Sequence, residues 1–265
     1  MKDGHIHTPF CPHGTKDPIE GYVQRALSLG FKEITFTEHA PLPKGFIDPV
    51  PAKDSSMRLE ELEAYFEEVA KVKQKYKGKI EINTGLEVDY IEGFEQGTTA
   101  FLNQYGKYLD DAILSVHFLK YDNMYECLDY SPDTFLQMIE RYRGIEKVYT
   151  NYFRTLLKSI ECDLGPYKPK RIGHMTLVKK FQKKFPLQRE FTEEITNILS
   201  AINDKGYELD YNGAGTSKPL CKEPYPPRWI AEKALIMGIP LIYGSDAHQI
   251  KELGQGRDVM QIQEA

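Results

Sequence analysis

The chain has 265 residues, of which 41% are hydrophobic and 12% are aromatic. This composition excludes a disordered chain, and the formal charge of −5 argues against a protein that binds nucleic acid through its net charge. No run approaches the ~18 apolar residues of a membrane span, and the N-terminus lacks the apolar core of a signal peptide. The four cysteines show no paired spacing, which favours a reducing, cytoplasmic location without disulfides.

Short apolar runs alternate with longer segments of helical periodicity. The predicted strands are residues 2–6, 32–36, 79–86, 111–116, 170–173, 207–211 and 240–244. The predicted helices are residues 18–30, 57–76, 131–160 with a division at Gly144, 191–203 and 227–238. Because this alternation places helices outside parallel strands, we predict a single α/β domain over 1–265, folded as a closed or nearly closed seven-stranded barrel. An open, doubly wound sheet is the alternative.

Two segments lack strong periodicity. Residues 41–56 and 218–227 are rich in proline, and we predict that they form rim loops that shape a pocket. The last residues, 256–265, either open a final helix or form a frayed tail.

Each histidine falls at or just beyond the end of a predicted strand, and none lies in the middle of a predicted helix. The histidines are His5, His7, His13, His39, His117, His174 and His248. In a parallel barrel the carboxyl ends of all strands emerge on one face, where active sites are built. Seven unrelated histidines would scatter among helices and surfaces, so their shared position predicts one common site.

Two spacings point to metal binding. In an extended chain, the side chains of His5 and His7 point to the same side, and Asp246 and His248 repeat this geometry near the other end of the sequence. The third predicted strand ends in Glu87 instead of a histidine, with a second carboxylate, Asp89, two residues later as the alternative. Neutral imidazoles and carboxylates are ligands that suit Zn, Fe and Mn.

The motifs around these residues resemble those of the polymerase and histidinol phosphatase (PHP) family. They are HIHTPFCPHGT (5–15), TEHAP (37–41), GLEVDY (85–90), SVHF (115–118), RIGHMTLVKKF (171–181) and GSDAH (244–248). They occur in family order over nearly the whole chain, and within the family the likeness is greatest to the stand-alone histidinol-phosphate phosphatases. The resemblance implies a distorted, TIM-like (β/α)7 barrel, in agreement with the strand count.

The resemblance also implies three divalent metal ions (Zn, Fe or Mn). The first ion would be held by His5, His7, Glu87 and Asp246, the second by His13, His39 and His248, and the third by Glu87, His117 and His174. Cys11 lies inside the first motif, but we expect it to stay outside the ligand set because the histidines already fill the sites.

The substrate-binding residues match the family less closely. Family phosphatases often have an arginine five residues after the histidine of the RIGH motif, where this chain has Lys179, which binds phosphate as a point charge without the bidentate fork. Asn212 and Lys218 lie in a stretch that resembles the family's substrate loop, and we expect both to face the site. The remaining candidates for phosphate binding are Arg154, Arg171 and Arg228.

The implied activity is hydrolysis of L-histidinol phosphate to L-histidinol and inorganic phosphate, a step of histidine biosynthesis. Metal coordination lowers the pKa of water to about 7, so a hydroxide between the ions would attack phosphorus in line. Asp246 is predicted to hold or relay the proton of this water, and His248 or a metal-bound water to protonate the leaving alkoxide. Three ions and two carboxylates leave a net charge of about +4, which favours a dianionic phosphate.

Two rival functions stay open at this stage. A PHP-type phosphodiesterase or nuclease, or a phosphatase acting on another small phosphomonoester, would keep the metals and change the substrate. A non-catalytic, metal-stabilised module would more typically close its ion within a cysteine-rich shell. We predict a small-molecule phosphate ester as the partner, without nucleic acid or membrane, and assembly into a homo-oligomer stays open.

Overall fold

The structure is a computed structural model that describes residues 1–260. Its strands are β1 (Lys2–Ile6), β2 (Glu33–His39), β3 (Glu81–Asp89), β4 (Asp111–Ser115), β5 (Phe118–Tyr121), β6 (Met124–Cys127), β7 (Arg171–Ile172), β8 (Glu208–Asn212) and β9 (Leu241–Gly244). All seven predicted strands are present, although β7 contains only two residues. β3 extends beyond its predicted end, so that Glu87 and Asp89 are both strand residues.

Seven strands form one parallel sheet in the order β1-β2-β3-β4-β7-β8-β9. The two outer strands meet at their carboxyl ends. There the Asp246 N–H donates to the His5 carbonyl at 2.7 Å, and the His7 N–H donates to the Ala247 carbonyl at 3.0 Å. The sheet is therefore a nearly closed barrel, which confirms the predicted architecture over the open alternative.

Helices cover the outside of the barrel. They are α1 (Ile19–Ser28), α2 (Leu62–Lys75), α3 (Glu95–Tyr105), α4 (Pro132–Arg141), α5 (Ile145–Glu161), α6 (Thr192–Asp204), α7 (Ala214–Ser217) and α8 (Arg228–Ile236). The predicted division of the long helical segment is confirmed: Gly144 adopts a φ of 137°, which only glycine tolerates without strain. α4 begins with a favourable N-cap: the Ser131 hydroxyl accepts a hydrogen bond from the Thr134 N–H, and Pro132 occupies the first helical position.

Three features were not predicted: α3, the β5–β6 hairpin and the single turn α7. α3 contains Gly97 and two threonines and buries only Thr98 and Leu102, so its apolar periodicity is too weak to stand out. β5 and β6 form a separate antiparallel hairpin just after β4, with its turn at Asp122, where φ is 53°. This hairpin extends the carboxyl-end rim of the barrel, next to His117.

Most barrel strands are buried on both faces, which explains their apolar runs in the sequence, whereas β9 is only half-buried. The helices bury one face each, as α5 does with Val148, Tyr152 and Leu156. Burial of each such large side chain contributes about 1.5–3 kcal/mol. The packed core therefore holds the strand ends, and the side chains on them, in fixed positions.

Two smaller expectations concern the end of the sequence and the absence of a membrane span. Of the segment 256–265, residues 256–259 form turns, and the rest of that expectation lies outside the described residues. No helix among the described residues is long and apolar enough to cross a membrane.

Candidate metal centre

All seven histidines meet at the carboxyl ends of the barrel strands. Ring centroids are separated by 3.9 Å for His7–His248, 4.3 Å for His7–His39, 4.9 Å for His117–His174, 5.1 Å for His13–His248 and 5.2 Å for His5–His7. Residues from both ends of the sequence thus share one site, as their positions after predicted strands indicated.

The Glu87 carboxylate lies at the middle of this cluster. Its Oε1 is 2.9 Å from His174 Nε2 and accepts a hydrogen bond from the Ser115 hydroxyl at 2.6 Å. Its Oε2 is 3.1 Å from His39 Nδ1 and 3.4 Å from His5 Nε2. One buried carboxylate therefore contacts both halves of the histidine cluster, which is the geometry that a bridging ligand requires.

Three further carboxylates orient the histidines from behind. The pairs are His5 Nδ1–Asp210 Oδ2 at 2.8 Å, His7 Nδ1–Glu38 Oε1 at 3.3 Å and His117 Nδ1–Asp89 Oδ1 at 2.8 Å. A carboxylate on Nδ1 fixes the ring and leaves Nε2 for another ligand. Our sequence reasoning missed Glu38 and Asp210 and considered Asp89 only as an alternative ligand. The sequence does contain an indication of both, because each is a charged residue within a predominantly buried strand and a buried charge needs a partner.

Several buried ring nitrogens have no hydrogen-bond partner among the described residues. They are His5 Nε2, His7 Nε2, His39 Nδ1 and His174 Nδ1; the carboxylate oxygens that lie 3.1–3.4 Å from the first three do not meet them in hydrogen-bond geometry. Leaving such atoms unsatisfied is costly, and a divalent ion would satisfy them. The candidate ligand atoms fall into groups in which all lie within 4.8 Å of one another: His5, His7 and Glu87; Glu87, His117 and His174; and His7, Cys11, His39 and His248. The residues present therefore fit more than one ion.

Cys11 belongs to the third of these groups, so its sulfur lies within reach of an ion. His13 nevertheless offers a nitrogen there, since its Nε2 is 3.2 Å from His248 Nε2. We therefore expect Cys11→Ser to retain the metal content of the wild type, measured by elemental analysis after gel filtration. Loss of one ion per chain in this variant would instead make the thiolate a ligand.

Burial and ion pairing shift the pKa values of the centre in opposite directions. Burial alone would raise the pKa values of Glu87 and Asp246, but the surrounding histidines hold both well below their usual values. Burial would lower the pKa of His7, but its carboxylate partners outweigh burial and raise the pKa to about 9. The same balance raises the pKa of His117 to about 10, whereas burial and neighbouring histidines lower that of His39 to about 4.

A cavity of about 500 Å³ opens above the cluster. Both proline-rich segments contribute to its wall, the first through Val50 and Asp54 and the second through Lys218 and Tyr225. A space of this size accommodates a small molecule rather than a folded partner.

The sequence pattern of the PHP domain matches residues 3–214. The chain belongs to the PHP family. A histidinol-phosphatase from Bacillus subtilis is 50% identical over 255 residues, which cover 96% of this chain and 95% of the relative. The crystal structure of HisK from Listeria monocytogenes matches with a TM-score of 0.94 and 39% identity, covering 98% of this chain and 100% of that one.

The fold is also shared with a Lactococcus lactis histidinol phosphate phosphatase solved with zinc, L-histidinol and phosphate. That structure matches with a TM-score of 0.69 and 20% identity, covering 98% of this chain and 92% of the other. At this identity the likeness concerns the fold alone.

Two of the substrate-binding candidates suggested by the PHP resemblance lie at the centre. Lys218 lines the cavity. Asn212 is fully buried and lies behind the site, where its side-chain amide donates to Asp246 Oδ2 and to Asp210 Oδ2, both at 3.1 Å. Asn212 is therefore placed to hold these two carboxylates.

The other four candidates lie away from the cavity wall. Arg154 donates to Asn151 Oδ1, and Arg228 pairs with Glu232 at 2.7 Å. Lys179 pairs with Glu223 at 2.7 Å, and the lysine that lines the cavity is the next residue, Lys180. The 3-10 helix over residues 177–181 turns consecutive side chains in different directions, so counting five residues from His174 does not fix which lysine faces inward. Arg171 is buried at the start of β7, where Asp111 accepts from it at 2.7 Å, so its charge is neutralised inside the barrel.

The pairing of His5 with Asp210 yields a second prediction. We expect Asp210→Asn to weaken metal affinity and to lower activity by about 10- to 100-fold, because the ring of His5 loses its charged partner. Zinc titration with a competing chelator measures the affinity. Asp204→Asn at the exposed end of α6 is the matched control, and equal affinities in the two variants would contradict the orienting role.

Proposed function

We propose that this protein is a metal-dependent histidinol-phosphatase that hydrolyses L-histidinol phosphate to L-histidinol and inorganic phosphate. The observation that carries the proposal is the cluster of seven histidines around Glu87 on the floor of a small cavity, in a chain 50% identical to a histidinol-phosphatase over almost its whole length. A phosphomonoester is the substrate class that such a site suits, because clustered divalent cations stabilise the charge of a transferring phosphoryl group.

Three ions, each Zn, Fe or Mn, would account for the ligand set. The proposed ligands are His5, His7, Glu87 and Asp246 for the first ion, His13, His39 and His248 for the second, and Glu87, His117 and His174 for the third. The grouping of candidate ligand atoms supports the first and third sets, and the contact between His13 and His248 supports the second. Bound divalent ions supply Lewis acidity and lower the pKa of coordinated water to about 7.

Asp246 and His248 are the protein groups best placed to move protons. Asp246 Oδ1 is 3.1 Å from His7 Nε2 and 3.5 Å from His248 Nδ1, while its Oδ2 is held by Asn212. Both residues line the cavity. We assign to Asp246 the proton of the attacking water, and to His248 or a metal-bound water the protonation of the leaving alkoxide.

The buried carboxylates change the charge balance of the site. With three ions bound, Glu38, Asp89 and Asp210 would each offset one positive charge, so the net charge of about +4 would fall to about +1. A dianionic phosphate then gains more from additional cations. Lys180 and Lys218, which line the cavity, would supply them.

Release of inorganic phosphate from a panel of substrates tests the function. The panel contains L-histidinol phosphate, a simple phosphomonoester and a phosphodiester, with metal analysis on the same sample. We expect turnover of L-histidinol phosphate with the highest kcat/KM and two or more ions per chain. Activity on the diester alone would favour a PHP-type phosphodiesterase, and no activity in a fully loaded sample would contradict catalysis. The cytoplasmic location stays a prediction that cell fractionation tests, and assembly into a homo-oligomer stays one that gel filtration tests.

A further inference from the structure

The cavity contains one ion pair whose carboxylate the proposed chemistry does not use. Asp129 follows β6, Lys180 lies in the 3-10 helix at residues 177–181, and Lys180 Nζ is 2.8 Å from Asp129 Oδ2. Their side chains are 18% and 23% exposed, so the pair is mostly buried yet open to the cavity. Both residues line the same cavity as His117 and His174.

The pair differs from the other carboxylates of the cavity wall. Glu87, Asp89 and Asp246 contact histidines, and Glu252 accepts from the backbone N–H of His248. Asp129 instead has a lysine on one oxygen and the Cys127 thiol on the other, 3.3 Å away. It is the cavity carboxylate paired directly with a lysine that also faces the cavity.

Stability alone gives a weak reason for such a pair. Desolvation of two charges offsets much of their attraction, so a partly buried ion pair contributes little to folding. A ligand that carries a positive and a negative group makes this pair more favourable. Its cation would pair with the Asp129 carboxylate and its anion with the Lys180 ammonium as water leaves the cavity. The wall of the same cavity also contains the apolar side chains of Val50, Phe118 and Leu177, against which a ring can pack.

The following inference rests on the proposed function. L-histidinol phosphate has an ammonium on the carbon next to the one that carries the phosphate ester, so its positive and negative groups are close together. We propose that Asp129 binds this ammonium while Lys180 binds a phosphoryl oxygen, so that the pair selects phosphomonoesters with an amino group beside the ester carbon. The four charges then alternate in sign, and each charged group has two opposite neighbours.

The test compares L-histidinol phosphate with its deaminated analogue, 3-(imidazol-4-yl)propyl phosphate. The measured quantity is the ratio of their kcat/KM values. We expect the wild type to favour the amine, and Asp129→Asn to lower this ratio on the order of 10- to 100-fold, as expected for loss of a hydrogen bond between charged groups. Lys180→Gln should lower kcat/KM for both substrates, because both carry the phosphate.

Asp54→Asn is the matched control, since it makes the same change at a cavity carboxylate that contributes its backbone oxygen to His13. Its ratio should equal that of the wild type. The metal content and Tm of Asp129→Asn separate a specificity effect from a folding defect. The comparison of the two substrates on the wild-type enzyme does not depend on the folding of any variant. Equal wild-type kcat/KM for both substrates, or a ratio in Asp129→Asn as high as that of the wild type, overturns the inference. Absence of phosphate release from both substrates overturns the proposed function itself.

Discussion

Replacement of Glu87 by alanine is expected to lower kcat/KM for L-histidinol phosphate by at least about a thousandfold, or roughly 4 kcal/mol of transition-state stabilisation. The reason is its position, because one carboxylate contacts histidines on both sides of the cluster. Its loss removes a ligand from two proposed ions and leaves buried imidazoles without their counter-charge. The same samples should lose two ions per chain in elemental analysis.

The control for this variant lies on the same strand. Glu81 is the exposed first residue of β3, so Glu81→Ala makes the same change without reaching the cavity. We expect its activity to stay within about twofold of the wild type, as is usual for surface substitutions. Full metal content together with more than about a tenth of wild-type activity in Glu87→Ala would rule out the bridging role.

The barrel could be predicted from the sequence because most of its strands are buried on both faces. Such strands form continuous apolar runs, and the helices between them show one apolar stripe each. α3 and the β5–β6 hairpin escaped prediction for the opposite reason. α3 buries little, and the hairpin is a pair of four-residue strands whose pairing depends on its position at the barrel rim.

The histidines could be predicted to meet, but the carboxylates that support them could not. Strand ends are visible in the sequence, and parallel topology brings them to one face. The pairing of His5 with Asp210 joins β1 to β8, and no spacing in the sequence encodes that distance. Which of two neighbouring lysines faces the cavity depends on the local turn of a 3-10 helix. Counting five residues from His174 indicated Lys179, whereas Lys180 lines the cavity.

Removal of the ions with a chelator is expected to abolish activity and to lower Tm by at least about 10 °C, the shift expected for the loss of a single ion. An ion present at a thousand times its Kd stabilises the folded state by about 4 kcal/mol, and each kcal/mol moves Tm by roughly 2–4 °C in a chain of this size. The metal-free fold should persist near neutral pH because buried imidazolium and carboxylate groups pair in place of the ions. His7 and His117, with pKa values raised to about 9 and about 10, supply part of the positive charge.

This pairing makes the stability of the metal-free protein depend on pH in a definite direction. A histidine whose pKa rises from 6.5 to about 9 on folding stabilises the fold fully below pH 6.5 and loses that contribution as the pH rises to about 9. The metal-loaded protein holds the same rings neutral, so its Tm should change less over this window. Calorimetry with and without chelator at about pH 6.5 and about pH 9 should therefore show a difference in Tm that widens toward alkaline pH. Restored Tm and activity after zinc is added back exclude irreversible damage, and a difference that narrows over the same window would show that imidazolium–carboxylate pairs do not replace the ions.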